Sequence, residues 1–273
     1  MADRSFADRY GPWAAVTGAA QGMGAAFAAE LTGRGLAVLM IDREKGLLAG
    51  RAAELRAAGA EVGELVADLS EAGAADRVLD AIADVDLGLL VGNAAVGYVG
   101  AFLEQPLDEA LAQLDVNCRA PLVLVHGVLP RLLSRGRGGI VLLSSLSAMR
   151  GAPLVTAYAA TKAWNLILAE SLWEEVREAG VDVMAVLPGS TRTPAWLGSQ
   201  PQSGAGTSNV MEPADVVREA LDALGSGPSF VPGQANRDSE RLMASMDRAE
   251  AIRLMGQVMR AMYPPGRDPD AAV

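Results

Sequence analysis

The stretch WAAVTGAAQGMG, residues 13–24, decides the reading of this chain. Trp13 to Thr17 are apolar or β-branched and lack polar alternation, the pattern of a short strand covered on both faces. They run without a spacer into Gly18, Gly22 and Gly24. Glycines where a strand turns into a helix permit a tight turn and let backbone N–H groups reach an anion at the positive end of the helix dipole. Strand, glycine turn and helix together are the context a dinucleotide pyrophosphate needs, although a plain strand-to-helix turn uses the same residues. Asp42 ends the next apolar run 18 residues after Gly24. That is close to the spacing at which an acid accepts hydrogen bonds from a nucleotide ribose, and an ordinary strand-end Asp is the alternative.

Working outward, apolar runs at 13–17, 37–41, 62–67, 87–92, 139–144, 181–187 and 229–231 alternate with helical patterns that include 23–34, 44–58, 107–133 and 157–179. Such alternation implies βαβ units, and therefore one doubly wound α/β domain spanning 1–273, with about seven parallel strands flanked by helices. Two regions break the rhythm. Residues 188–213 hold SQPQSGAGTSN, too polar for a regular element and expected to form a substrate loop or lid. Past Pro232 a helical run at 239–262 carries Met243, Met246, Met255, Met259 and Met262, within a C-terminal extension at 236–273. Those methionines pack a core, or some of them line an adaptable apolar pocket.

The 273 residues are 51% hydrophobic with a formal net charge of -10, a surface that repels nucleic-acid backbones and anionic membranes. No stretch approaches a transmembrane span, the first residues carry charges rather than an apolar signal core, and the expectation is a soluble, cytoplasmic protein. Cys118 is the single cysteine, which excludes an intrachain disulfide, and with the single histidine, His126, it leaves no metal cluster. His126 sits in LVLVHGVLP and reads as a core or interface residue.

The spacing of the glycines resembles that of the short-chain dehydrogenase/reductase family, and further motifs follow in the family's order from Trp13 to about Gly233. Asp68 in VADLS matches an adenine-binding acid, and Asn93 and Ala94 match two positions of an Asn-Asn-Ala-Gly turn from which Gly92 and Ala95 depart. Asn117, Ser145 and the Tyr158-x-x-x-Lys162 pair match the catalytic set, with Ser145 thirteen residues before Tyr158. Pro188, Gly189 and Thr193 match the nicotinamide-side turn. The resemblance implies a Rossmann-type fold and a cofactor held by Gly18, Gln21, Gly22, Met23, Gly24, Asp42, Arg43, Asp68, Leu69, Asn93, Ala94, Tyr158, Lys162, Pro188, Gly189, Thr191 and Thr193. It implies that Ser145 holds the substrate oxygen, that Lys162 meets the nicotinamide ribose, and that Asn117 orders a water leading from Lys162 to solvent.

Physical chemistry supports the pair independently. Tyr158 and Lys162 are four residues apart and share a helical face. A neighbouring ammonium and a cationic nicotinamide both favour phenolate and would bring the phenol, whose ordinary pKa is about 10, towards the working range. Only two of the 23 basic residues are lysines, Lys45 and Lys162, so a lysine here marks a place where a compact ammonium is required. Ser144 and Ser147 compete with Ser145 on chemistry. The expected reaction is NAD(P)-dependent interconversion of a secondary alcohol and a ketone. Met149, Leu154, Trp196, Leu197 and Met211 point to an apolar, steroid-like or lipid-like substrate, and the resemblance extends to the family's hydroxysteroid and fatty-acyl branches. Asp42 and the uncharged Gln21 point to NAD, while Arg43 keeps NADP open. A biosynthetic NADP-dependent carbonyl reductase and a non-catalytic dinucleotide-binding regulator are the alternatives. A homodimer or homotetramer is expected through the long helices at 107–133 and 157–179.

Overall fold

The computed structural model describes residues 5–204 and 207–264. The elements in chain order are α1 (Phe6–Tyr10), β1 (Trp13–Thr17), α2 (Gly22–Gly33), β2 (Ala37–Asp42), α3 (Lys45–Ala57), β3 (Val62–Val66), α4 (Ala74–Ala81), β4 (Leu87–Gly92) and α5 (Leu107–Leu114). After these come α6 (Ala120–Arg135), β5 (Gly138–Leu143), α7 (Thr156–Val176), β6 (Val181–Val186), α8 (Pro194–Gly198), α9 (Pro213–Ala223), β7 (Ser229–Phe230), α10 (Gln234–Ala244) and α11 (Arg248–Met262). The seven strands form one sheet in the order β3-β2-β1-β4-β5-β6-β7, every pairing parallel.

Strand side chains alternate between two cores, which is why the runs are apolar throughout. Ala14 and Val16 face Phe27 and Leu31 of α2 and Val217 and Leu221 of α9. Ala15 faces the opposite way, into a core with Leu90, Leu124, Val128, Ile140 and Leu166. Truncating one such fully buried leucine would cost roughly 2–5 kcal/mol. The strand order reverses beside β1, between β2 and β4, and this opens a crevice at the carboxyl ends of the strands.

Three expectations change in detail. The helix expected over 107–133 is interrupted at Asp115–Arg119 by a π-helical turn. Pro121 has no N–H to offer the carbonyl of Asn117 four residues earlier, and the helix widens at that point. The run at 239–262 is two helices, because Asp247 caps α11 by accepting from the backbone N–H groups of Ala249 and Glu250 at 2.9 and 3.3 Å. The polar stretch after Pro188 contains α8, started by Thr193 accepting from the Trp196 N–H at 3.1 Å with Pro194 in the first turn. Residues 205–206 of that loop and 265–273 of the extension lie outside the described residues.

Candidate active site

At the crevice, Gly18 takes φ +65°, and a Cβ on Gly24 would stand 1.9 Å from the Gly18 carbonyl oxygen, so neither position admits a side chain. Asn93 ties this turn to the end of β4: its Nδ2 donates to the carbonyls of Thr17 and Gly18 at 2.9 and 3.1 Å. The Thr17 hydroxyl accepts from the N–H groups of Asn93 and Ala94, both at 3.0 Å. A cradle of this shape, backbone without side chains at the start of α2, fits a pyrophosphate.

Asp42 projects from the end of β2 and accepts from the N–H of Ala20 at 2.9 Å and of Glu44 at 3.0 Å, one on each carboxylate oxygen. It therefore braces the glycine turn and keeps a lone pair on each oxygen for ribose hydroxyls. Asp68 accepts from the backbone and hydroxyl of Ser70, which hold its carboxyl below the usual range, with a smaller contribution from Arg43. A surface cavity of about 480 Å³ runs along Asp68, Val66, Ala67 and Glu71, with Arg43 and Arg77 on its walls. Gln21 is exposed, Met23 is half-buried, and Leu69 turns its side chain into the core. On the far side Pro188 and Thr191 are buried, Thr191 donates to the Gly189 carbonyl at 3.1 Å, and Thr193 stands beside Gly22.

The catalytic candidates meet on α7. Lys162 is 3% exposed and its Nζ donates to the Leu143 carbonyl at 2.8 Å, at the end of β5. That Nζ lies 5.6 Å from the centre of the Tyr158 ring. The phenol of Tyr158 is hydrogen-bonded to Ser145. Geometry separates the three serines. Ser144 donates to the Lys162 carbonyl at 2.7 Å, and Ser147 donates its hydroxyl and N–H to Ser145 at 3.0 and 3.2 Å, which leaves Ser145 facing the phenol.

Burial governs the electrostatics without a cofactor. It pushes Tyr158 up to about 12; the Ser145 hydrogen bond opposes this, and Tyr263 adds to it. Burial also brings Lys162 down to about 8, opposed by Cys118. The expected lowering of the phenol is thus absent in the free protein, since loss of water outweighs the Ser145 hydrogen bond. The Asn117 side chain accepts from the Val96 N–H at 2.9 Å and donates to the Val96 carbonyl and Thr161 hydroxyl at 2.8 and 2.9 Å. What it retains for a water is its main-chain carbonyl, not its amide.

The C-terminal extension reaches this site. Met259, Met262 and Tyr263 are buried against Val99, Leu154 and Val155, next to the start of α7. The Tyr263 and Ser199 hydroxyls lie 3.0 Å apart, and the Gln202 N–H donates to the Met262 carbonyl at 2.9 Å, tying α11 to the segment after α8. Arg150, five residues past Ser145, grips Glu240 of α10 through two hydrogen bonds of 2.7 and 3.2 Å. His126 is exposed on α6, which corrects the core reading and leaves the interface one.

Sequence reasoning missed Asn165, Asn236 and Tyr263. Asn165 donates to the Asn117 carbonyl at 2.9 Å. Asn236, 7% exposed, places its Oδ1 within 2.6 Å of where a Cβ on Gly189 would stand and so limits that turn to glycine. A legible signal existed for the first: a proline four residues after Asn117 orphans a carbonyl, and a polar residue interrupts the apolar face of α7.

Residues 12–203 match the family model described as short chain dehydrogenase. The chain is 32% identical to the 7beta-hydroxysteroid dehydrogenase of Clostridium sardiniense over 259 residues, which cover 94% of this chain and 99% of that one. It is 37% identical to the 1-deoxy-11-beta-hydroxypentalenate dehydrogenase of Streptomyces exfoliatus over 218 residues, 78% of this chain and 79% of that one. A solved structure from a study of 7beta-hydroxysteroid dehydrogenase stereoselectivity superposes with a TM-score of 0.86 at 30% identity, covering 92% of this chain and 99% of that one. These relatives are enzymes, which sets the regulator reading aside and agrees with the Tyr158, Lys162 and Ser145 cluster. The chain belongs to the short-chain dehydrogenase family, as an NAD(P)-dependent oxidoreductase acting between alcohol and ketone.

Proposed function

We propose that the substrate is an apolar secondary alcohol or ketone of steroid size, handled by Ser145, Tyr158 and Lys162. The observation that carries this is the Met259, Met262 and Tyr263 cluster set against Val99, Leu154 and Val155 where α7 begins, beside the Ser145-bonded phenol. The likeness to the two dehydrogenases supports it, since their names give a hydroxysteroid and a hydroxypentalenate.

In this reading Ser145 holds the substrate oxygen, and Tyr158 takes the hydroxyl proton in oxidation and returns it in reduction. Lys162 favours the phenolate and meets the nicotinamide ribose, and the Asn117 carbonyl receives a water on the path to solvent. The nicotinamide, when bound, supplies hydride acceptance or donation, and its oxidised form adds a positive charge that offsets the burial of the phenol. Gly18, Gly22 and Gly24 with the α2 N-terminus hold the pyrophosphate, Asp42 the ribose, Asp68 the adenine, and Pro188 to Thr193 the nicotinamide side. NAD is the cofactor, because a carboxylate at Asp42 repels a 2′-phosphate. A second reading, NADP, rests on Arg43 and Arg77, which line the same cavity.

Residues 1–273 act as one catalytic domain, 188–213 as the substrate lid and 236–273 as an extension that completes the pocket. The chain assembles as a homodimer or homotetramer and works in the cytoplasm. Leu107, Leu111, Leu122 and Ile167 are exposed by 72, 48, 45 and 60%, an apolar surface on the helices expected to pair. No helix among the described residues is long and apolar enough to cross a membrane. A screen of steroid, aliphatic and sugar alcohols with NAD and NADP, read at the reduced-nicotinamide absorbance, tests the substrate class. Steroid alcohols should turn over best, and a preference for sugars would overturn the reading.

A further inference from the structure

We propose that Asn165 is a positioning residue of the proton path, holding the Asn117 carbonyl in place on the face of α7 that carries Lys162. The proposal rests on the reading of Tyr158 and Lys162 given above. Asn165 follows Lys162 by three residues and Tyr158 by seven, so the three share one helical face. It is 3% exposed, with Leu166 and Ala169 buried near it in sequence. An amide in such surroundings is costly unless it is bonded. Its Nδ2 donates to the Asn117 carbonyl at 2.9 Å.

That carbonyl needs an outside donor because Pro121 occupies the position whose N–H would serve it in a regular helix. The Asn117 side chain cannot turn inward to help, since Val96 and Thr161 engage both of its polar atoms. Asn117 is therefore held from two elements: its side chain by the loop at Val96 and by Thr161 of α7, and its carbonyl by Asn165 of the same helix. The contact also fixes which way the Asn165 amide points, because the flipped amide would set two acceptors against each other at 2.9 Å. Its Oδ1 is consequently buried and has no partner among the described residues. A buried acceptor next to a carbonyl with a spare lone pair is a suitable seat for one ordered water. Lys162, at 3% exposure, has no direct outlet to bulk solvent, and a seat of this kind gives its proton one.

The test compares wild type, Asn165→Leu and Tyr158→Phe, using the best steroid alcohol of the screen with NAD. Leucine conserves the volume and removes both polar atoms. The expected result is a kcat lower by about tenfold, the barrier equivalent of one hydrogen bond, with KM for the cofactor unchanged. The solvent deuterium isotope effect on kcat should rise above the wild-type value, because proton exit becomes slower. In the cofactor-free protein, alkylation of Cys118 should be faster, since the neighbouring peptide has lost a tether. Should the leucine variant not fold, Asn165→Ser, too short to reach the carbonyl, should show the same changes. A folded variant with wild-type kcat and isotope effect overturns the proposal, as does a lower kcat with an unchanged isotope effect, which would mean packing alone. Full turnover in Tyr158→Phe overturns the underlying reading and the proposal with it; full turnover in Asn165→Leu beside an inactive Tyr158→Phe overturns the proposal only.

Discussion

Lys162 makes the stability of the cofactor-free protein rise with pH. Burial holds this ammonium down at about 8 against an ordinary 10.5. Below about pH 8 the folded and unfolded chains both carry the proton, and the cost of burying the charge is fully present. Between about pH 8 and 10.5 the folded chain has released the proton while the unfolded chain keeps it, so the unfolded state binds more protons and stability increases with pH. Above 10.5 the gain is complete. The whole gap is worth about 3 kcal/mol, and about 2 kcal/mol of it falls between about pH 7.5 and 9.5. At 3% exposure the group needs no discount for solvent screening. Cys118 titrates nearby and burial raises its thiol, which removes stability as pH increases, so Cys118→Ala is the proper background. Tyr158, raised from 10 to about 12, removes stability as pH rises from about 10 and is common to both chains being compared. Urea unfolding of Cys118→Ala and Cys118→Ala/Lys162→Met across this range should show the lysine-containing chain gaining about 2 kcal/mol on its partner. Parallel curves, or a loss with rising pH, would refute the argument that Lys162 is kept charged at the expense of the fold.

Asp42→Ala should narrow or reverse the ratio of kcat/KM for NAD over NADP by about tenfold, since it removes the carboxylate facing a 2′-phosphate and leaves Arg43. Because Asp42 also braces Ala20, both KM values should rise, and the ratio is the decisive readout; a wild-type preference for NADP would show that Arg43 prevails. Light scattering should give a dimer or tetramer for wild type at micromolar concentration and a smaller species for Leu107→Glu/Leu111→Glu, whereas a wild-type monomer would refute helix pairing. Trp196→Ala should raise KM for a bulky apolar substrate by about tenfold while leaving KM for NAD unchanged, as loss of an aromatic contact over the ligand predicts; equal effects on both would dismiss the lid.

The fold was legible because its determinants are local and repeated. Seven apolar runs, each bounded by a helical pattern, leave a parallel sheet as the economical arrangement, and WAAVTGAAQGMG places the crevice. Tyr158 and Lys162 were picked out by the resemblance to the family's ordered motifs, and their four-residue spacing made a shared helical face readable without tertiary knowledge. Contacts between distant segments were not legible. The Arg150–Glu240 grip, the Ser199–Tyr263 contact and the Asn117–Asn165 bond join residues 90, 64 and 48 apart, and no periodicity encodes such partners. The phenol's upward shift was missed for the same reason, since its cause is burial by remote segments. Helix α8 is different: Thr193-Pro194 is a start signal that the polarity of the following residues concealed.

The most direct test of the account is turnover by Tyr158→Phe. The substitution removes one hydroxyl and leaves the ring against Gly97, so the fold and the cofactor crevice should persist. The measurement is reduced-nicotinamide absorbance with a steroid alcohol, paired with cofactor binding by calorimetry. The account predicts loss of turnover by about a hundredfold or more with cofactor affinity near that of wild type, because the phenol is required for proton transfer. Near wild-type turnover in the phenylalanine variant would contradict it.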